Sequence, residues 1–573
     1  MKYTNSKKTA LYKFLSYFRP YSKILFFAVI FIIILSICEA AFPLIFKFVI
    51  DTILKGKGFK AILSITYIWS ILFILWGISK YISDYLMLLL AHEFGYNLRK
   101  DLFNYLQGLT LGFFQAHPTG GLMANIINDI ETIEDVLKNE SRDLIVYSIV
   151  LFVCLWMMLF LDWRLFIISV IAFPAITTAL RFLGLRFSEI ARVIIDKRAR
   201  INAYLQEIFS YIRIVKTHTQ EEKEKLSFDK FSQEYLKIRF KDSKIKAVLD
   251  STIGFVNNIG LLAVIYLGFT LVVKNRLSLG VLVAFIYYLG IIRGKVTGVI
   301  KSYIPLKQSL TVFSDLIKLK EEIPEENKAH PKPILSNIEG RIEFKSVWFG
   351  YSEQKEPILK DASFVINPKE KVALIGESGV GKTTLVNLML RFYQPIKGKI
   401  LIDGYDIKEV NLTSLRKQIA IVSQDDILFN TTIKENIAYG KEDATWAELI
   451  QASKIAKAHE SIISLPQGYK TIVGEKGTRL SGGERQRISI ARAILRNPKI
   501  LILDEATSYL NDELEVLIYD ALDYFIKDKI VFIITHRAST VTKIATKILF
   551  FDNGMIQELE PQEFIASPSA MLK

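Results

Sequence analysis

Apolar residues fill the chain almost without interruption from about Ile24 to Ile50, more than the roughly 20 residues that carry a helix across a bilayer. Comparable runs lie near 61–91, 144–162, 164–184, 253–273 and 278–300, which predicts six membrane-spanning helices. Ahead of the first, residues 1–22 are basic and aromatic, with Leu11, Phe14, Leu15 and Phe18 at helical spacing, the pattern of an amphipathic helix lying on a membrane surface. The first run exceeds the roughly 7 to 15 residues of a signal-peptide core and lacks a small-residue cleavage site, so it is expected to stay as a span. Stretches 92–143 and 185–252 are charged yet keep apolar residues at helical spacing, which predicts membrane helices prolonged far into the cytoplasm.

The pattern changes in the second half. From Lys318 to Gly340 the chain is polar and punctuated by Pro324, Pro331 and Pro333, as in an exposed linker. After about Ile342, short runs such as VALIG, KILIDG, ILILDE and IVFIITH alternate with helical stretches, predicting a parallel sheet covered by helices. The expected division is an interfacial helix over 1–22, a six-helix membrane domain over 23–317, a linker over 318–340 and an α/β P-loop domain over 341–573.

Composition agrees: 51% of the 573 residues are hydrophobic, more than a soluble core of this size uses. The net charge of +15 comes from basic residues spread along the chain, which suits anionic lipid headgroups better than nucleic acid. Cys38 and Cys154 both sit inside apolar runs and read as small core residues. Six spans put both chain ends on one side. Lys7, Lys8, Arg19 and Lys23 argue that this side is the cytoplasm, whereas Lys55, Lys57 and Lys60 between the first two spans argue weakly against it.

Candidate chemistry is concentrated beyond the linker. The strand Lys371–Ile375 runs into Gly376, Glu377, Ser378, Gly379, Val380, Gly381, Lys382, Thr383 and Thr384, followed by the helical TLVNLMLRF. Glycines let backbone N–H groups turn inward around phosphate oxygens at a helix N-terminus, Lys382 neutralises the β and γ phosphates of ATP, and Thr383 ligates Mg²⁺. ILILDE ends in Asp504, placed to hold the Mg²⁺ shell, and Glu505, placed to polarise the attacking water.

Between them stands LSGGERQR, Leu480–Arg487, and here the sequence resembles the ABC (ATP-binding cassette) family. The resemblance implies that Ser481, Gly482 and Gly483, with Glu484 and Gln486, form a signature closing over ATP on a partner's P-loop, so that one chain needs a second copy of itself or a closely related half-transporter. It also assigns Tyr351 to the adenine, Gln424 to the nucleotide and Mg²⁺, His536 to the γ-phosphate, and Glu475 to the partner's membrane domain. Asn511 stands where the family usually has an aspartate, which would alter coupling between the two ATP sites.

Six spans before one ATPase domain is the layout of exporter half-transporters, including lipid A flippases and bacterial multidrug exporters. That layout implies alternating access in a homodimer of a bacterial inner membrane, with coupling helices expected near Pro118–Ala124 and Ser210–Arg213. Importers, DNA-repair ATPases and other nucleic-acid machines do not fit it. For cargo, the ionisable residues in or near spans are Glu39, Lys47, Lys80, Arg293 and Lys295. Their basic members favour an amphipathic, lipid A-like lipid, with a multidrug or hydrophobic-compound exporter as the alternative and an ATP-gated channel or regulator as the reading from another class.

Overall fold

A computed structural model describes residues 14, 16–54, 56, 59–117, 122–123, 125–320, 322–326, 332–351, 356–423, 427–505, 521, 523–535, 541 and 543–562, without the side chains of 125, 170–189, 191, 192, 195, 249, 250, 253, 257, 300 and 304. It falls into two compact units, Met1–Asn104 with Gly120–Glu321, and Tyr105–Thr119 with Glu322–Lys573.

The first unit is built from long helices: α1 (Ser22–Leu54), α2 (Phe59–Leu106), then, beyond α3 (Leu111–Ala116) of the second unit, α4 (Ser141–Leu161), α5 (Trp163–Ser210), α6 (Ile212–Thr217), α7 (Glu221–Val273) and α8 (Leu279–Leu319). Among the described residues, five helical segments are long and apolar enough to cross a bilayer: Arg19–Leu54, Phe59–Leu106, Ile126–Leu161, Gly254–Val273 and Leu279–Leu319. The remaining expected span, 164–184, lies within α5, an unbroken helix of 48 residues. The prolonged helices foreseen over 185–252 are the continuous lower parts of α5 and α7.

Sharp reversals between spans come from caps. Asp162 is extended, and its carboxylate accepts from the N–H groups of Arg164 and Leu165 at 2.9 and 3.1 Å, so a single residue separates α4 from α5. Ser278 caps α8, and Asp51 at the far end of α1 accepts from the Ser278 hydroxyl and the Gly280 N–H at 3.0 and 3.2 Å. Gly280 is required there: a Cβ would stand 2.5 Å from the Lys47 carbonyl oxygen. Helices α1, α4 and α8 bury Ile32, Leu35, Val150, Met158, Phe285 and Tyr288 against one another, and the Tyr288 hydroxyl donates to the Ala40 carbonyl at 2.8 Å, satisfying the one polar atom that ring carries inward. Cys38 and Cys154 are free and buried. Large apolar side chains such as Phe26, Tyr67, Phe152, Phe160, Leu262 and Phe269 are exposed, as surfaces covered by lipid or by another subunit are.

Residues 1–13 lie outside the described part. Of the four positions at helical spacing in the expected surface helix, the two described pack against other helices: Phe14 is buried, packing on Phe313 with centroids 4.9 Å apart, and Phe18 stacks on Phe94 at 5.1 Å.

Among the described residues the second unit carries ten strands in two sheets, beginning with β1 (Ile342–Phe349), β2 (Leu359–Ile366), β3 (Lys371–Ile375), β4 (Lys397–Ile402) and β5 (Tyr405–Asp406), and continuing with β6 (Ile419–Val422), β7 (Ile500–Asp504), β8 (Ile530–Ile534), β9 (Lys547–Asp552) and β10 (Met555–Leu559). The larger sheet runs β10-β9-β3-β8-β7-β6, parallel except at β10. Its central strands are buried on both faces, as their continuous Val, Ile and Leu runs require. The smaller sheet, β2-β1-β4-β5, is antiparallel. KILIDG, expected in the parallel sheet, forms β4 of this second one, because alternation within a strand shows burial but not the direction of its partner.

Candidate functional site

β3 delivers the chain to the P-loop at the C-terminal edge of the parallel sheet. Gly376, Gly379 and Gly381 have φ of 149°, 83° and 118°. The first also lies so close to β9 that a Cβ would meet the Phe551 carbonyl at 2.7 Å. Gly381 caps α9 (Lys382–Met389), so the loop's N–H groups and the positive end of a helix converge on one spot. The buried Lys382 donates from Nζ to the carbonyls of Gly376 and Glu377 at 2.6 and 2.8 Å. Burial pushes its pKa below the ordinary lysine value, while the carboxylates of Glu505 and Asp504 pull it back up. Lysine and both carboxylates, 122 and 123 positions apart in the chain, therefore share one electrostatic site.

Asp504 ends β7 beside Ile534 of β8. Burial, then the neighbouring Glu505 charge, raise its pKa above the usual aspartate value; a buried carboxylate held this way gains from a divalent cation. Together with the Thr383 hydroxyl it offers hard oxygen donors, and substrate phosphates would complete the set, as Mg²⁺ requires. Glu505 has φ of 49°, a left-handed conformation that a side chain other than glycine adopts only under constraint. Its N–H donates to the Ile534 carbonyl at 3.0 Å, and the buried Gln486 reaches its carbonyl at 3.4 Å.

Ser481 caps α10 (Gly482–Arg496) in a reciprocal box: its hydroxyl accepts from the Glu484 N–H at 3.3 Å, and the Glu484 carboxylate accepts from the Ser481 N–H at 2.8 Å. Gly482 and Gly483 form the first turn. Ser481 is exposed and Gly482 and Gly483 are partly exposed, and among the described residues no hydrogen bond or ion pair joins them to residues 376–384. Glu475 is exposed on a tight turn where Gly474, Lys476 and Gly477 have φ of 78°, 52° and 76°. A Cβ on Gly477 would meet Arg485 Cδ at 2.7 Å, which packs this turn onto α10.

Tyr351 follows β1, half exposed, with its hydroxyl 3.2 Å from that of Thr384, which places the ring beside the P-loop. Gln424, Asn511 and His536 lie outside the described residues.

The family model described as ABC transporter transmembrane region matches residues 25–296, and that described as ABC transporter matches 359–508. A Bacillus subtilis (strain 168) protein named "Putative multidrug export ATP-binding/permease protein YgaD" is 36% identical over 556 residues, covering 96% of this chain and 95% of its own. The chain belongs to the ABC transporter family. A similarly named Staphylococcus aureus (strain bovine RF122 / ET3-1) protein is 36% identical over 568 residues, 97% of this chain and 98% of its own. Among solved structures, a bacterial Atm1-family ABC exporter with ATP bound matches with a TM-score of 0.84 and 26% identity over 96% of both chains. This ABC transporter is thus a half-transporter of exporter type and a transport ATPase, with an ATP-binding domain fused to a membrane-embedded one.

Two of the five candidate cavity residues pair with each other. Lys295 Nζ lies 2.6 Å from Glu39, with both side chains largely buried, and 4.8 Å from the Tyr147 ring centre. The Tyr147 hydroxyl donates to Asp143 at 3.1 Å, and Arg142 pairs with both Asp143 and Asp84. One ionic chain therefore ties α1, α2, α4 and α8. Lys80 lies over the Trp76 ring at 5.3 Å and Lys47 over Phe48 at 5.5 Å, while Arg293 is exposed.

Of the expected coupling segments, Pro118–Gly121 and Ala124 lie outside the described residues. Ser210–Arg213 is a break at Tyr211 between α5 and α6. Sequence reasoning missed α3, whose N-cap Thr110 accepts from Phe113 N–H at 3.4 Å. It also missed the ion pairs of residues Glu325 and Glu326 with Arg416 and Arg391.

Proposed function

We propose that this chain pairs with a second copy of itself, or a closely related half-transporter, to export hydrophobic or amphipathic drug-like compounds across a bacterial inner membrane, its ATPase domain in the cytoplasm. The observation that carries this reading is 36% identity sustained over 96% of the chain to a relative named for multidrug export. The pairing of Lys295 with Glu39 supports it from the other side, because a compensated lysine attracts phosphate far less than a free one. The lipid A-like cargo recedes behind the drug-export alternative because the relatives are named for multidrug export. We retain the division into 1–22, 23–317, 318–340 and 341–573.

In each ATP site the backbone of residues 376–381 and Lys382 would hold the phosphates, with Tyr351 stacking on adenine. Glu505 would polarise the water, and His536 would contact the γ-phosphate. Thr383, Gln424 and Asp504 would hold Mg²⁺, whose charge offsets that developing on the phosphates. Ser481, Gly482 and Gly483 of the facing copy would complete the site, supported by Glu484 and Gln486. Glu475 and Asn511 are the proposed links between sites. Moving the transporter from 1:99 to 99:1 in favour of the closed state needs about 5.5 kcal/mol of differential binding, a load two sandwiched nucleotides share.

The test is ATP hydrolysis by the purified chain in lipid nanodiscs, challenged in turn with cationic hydrophobic drugs, lipid A and ordinary phospholipids. Stimulation chiefly by drugs is expected. Selective stimulation by lipid A would restore the lipid reading, and hydrolysis indifferent to every compound, with ion conductance instead, would favour a channel.

A further inference from the structure

The adenine side of the P-loop is joined to α3 through one tyrosine that no sequence motif marks. Tyr393 stands four positions beyond the end of α9. Its ring meets that of Tyr351 edge to face, centroids 5.0 Å apart at 88°, and Phe349 closes the group at 5.1 Å from Tyr351 and 5.7 Å from Tyr393. On its other side the Tyr393 hydroxyl donates to Gln115 Oε1 at 2.5 Å. Its Cε1 also lies 3.6 Å from where a Gly112 Cβ would stand. Gly112 and Gln115 are three residues apart on α3 and so share a helix face; Tyr393 grips that face by both packing and a hydrogen bond.

The neighbourhood keeps this contact in register. The Glu325 N–H donates to the Gly108 carbonyl at 2.7 Å, just ahead of α3. Glu325 in turn takes a forked contact from Arg416, one arm at 3.0 Å. Arg391, two residues before Tyr393, is buried and bonds the Ile407 and Val410 carbonyls at 2.8 and 2.7 Å. With the backbone on both sides fixed, the freedom left in the contact is the tilt of two rings and one hydroxyl. Aromatic edge-to-face packing is directional, so a purine stacked on Tyr351 would constrain the Tyr393 ring and, through it, the bond to Gln115.

We infer that Tyr393 is a positioning residue that reports adenine stacking on Tyr351 to α3, so that the chain senses the base of its own nucleotide separately from the γ-phosphate. The inference rests on the assignment of Tyr351 to adenine and is independent of the cargo. Amide hydrogen exchange tests it on the full chain in nanodiscs, carrying Glu505→Gln to prevent turnover, with and without ATP. ATP is expected to slow exchange across 112–117 by at least three-fold in this parent and in Gln115→Glu, which keeps an acceptor for the hydroxyl. That slowing should vanish in Tyr393→Phe and Gln115→Leu, while P-loop amides gain the same protection in all four proteins. Equal slowing across 112–117 in Tyr393→Phe, or none in the parent, overturns the relay. A Tyr351→Ala chain that binds ATP as tightly as the parent would instead overturn the adenine assignment, a separate failure read from ATP affinity.

Discussion

Charged groups at the P-loop and charged groups inside the membrane unit find their partners by opposite means. Lys382 is held by the carbonyls of Gly376 and Glu377, residues of its own loop, and faces carboxylates that a phosphate and a cation would separate from it. Lys295 is held by Glu39, a residue of another helix far away in the chain, and the pair is complete by itself. A site closed by backbone is prepared for a ligand. A site closed by side chains of opposite charge serves first to lock helices together. The chemistry of the first follows from a few adjacent residues, whereas that of the second depends on how spans pack.

The largest effect expected from this contrast lies in the ATP site. Glu505→Gln keeps the shape and the constrained backbone but removes the charge that polarises water, so turnover should fall by about 100-fold or more while ATP binding persists. Phosphate release in single-turnover and steady-state assays measures this. Turnover near that of the parent would move the base to another residue.

Legibility followed the same division. Residues 376–384 could be read because strand, glycines, lysine and helix are contiguous in the chain. Asp504 and Glu505 could be read because a strand ending in two carboxylates accompanies a P-loop in the same domain. The left-handed φ of Glu505 could not, since no glycine or asparagine announces it. β4 was placed in the wrong sheet because alternating burial is the same beside a parallel or an antiparallel neighbour. Tyr393 escaped notice as one aromatic in LMLRFYQP, since its partners Tyr351 and Gln115 come from distant segments. Long spans declared themselves by apolar length, yet which charge meets which across α1 and α8 depends on helix rotation, and the pairing of Glu39 with Lys295 is visible only in three dimensions.

That pairing gives the next effect in size. Lys295→Met alone leaves Glu39 largely buried beside a methyl thioether, and a loss of about 3 kcal/mol is expected. Glu39→Gln with Lys295→Met removes both charges and should return to within about 1 kcal/mol of the parent. Thermal unfolding in nanodiscs of the parent, Lys295→Met, Glu39→Gln and the double variant reads the cycle. If the double variant is as unstable as the single, the pair is more than a lock, and the basic residue regains a claim on cargo.

The smallest stability effect separates the two functions superimposed on the signature. Ser481 and Thr445 each form a reciprocal cap with a glutamate three residues on, Glu484 and Glu448; Thr445 stands at the start of an ordinary helix, Trp446–Ile455. As caps they are equivalent, so Ser481→Ala and Thr445→Ala should each destabilise the ATPase unit by about 1 kcal/mol. Only Ser481 is proposed to meet the partner's ATP, and only its loss should lower steady-state hydrolysis by more than ten-fold. Were both variants to lose activity in proportion to stability, Ser481 would be a cap and nothing more. The head-to-tail site would then rest on the N–H groups of Gly482 and Gly483, which a backbone can present whatever side chain precedes them.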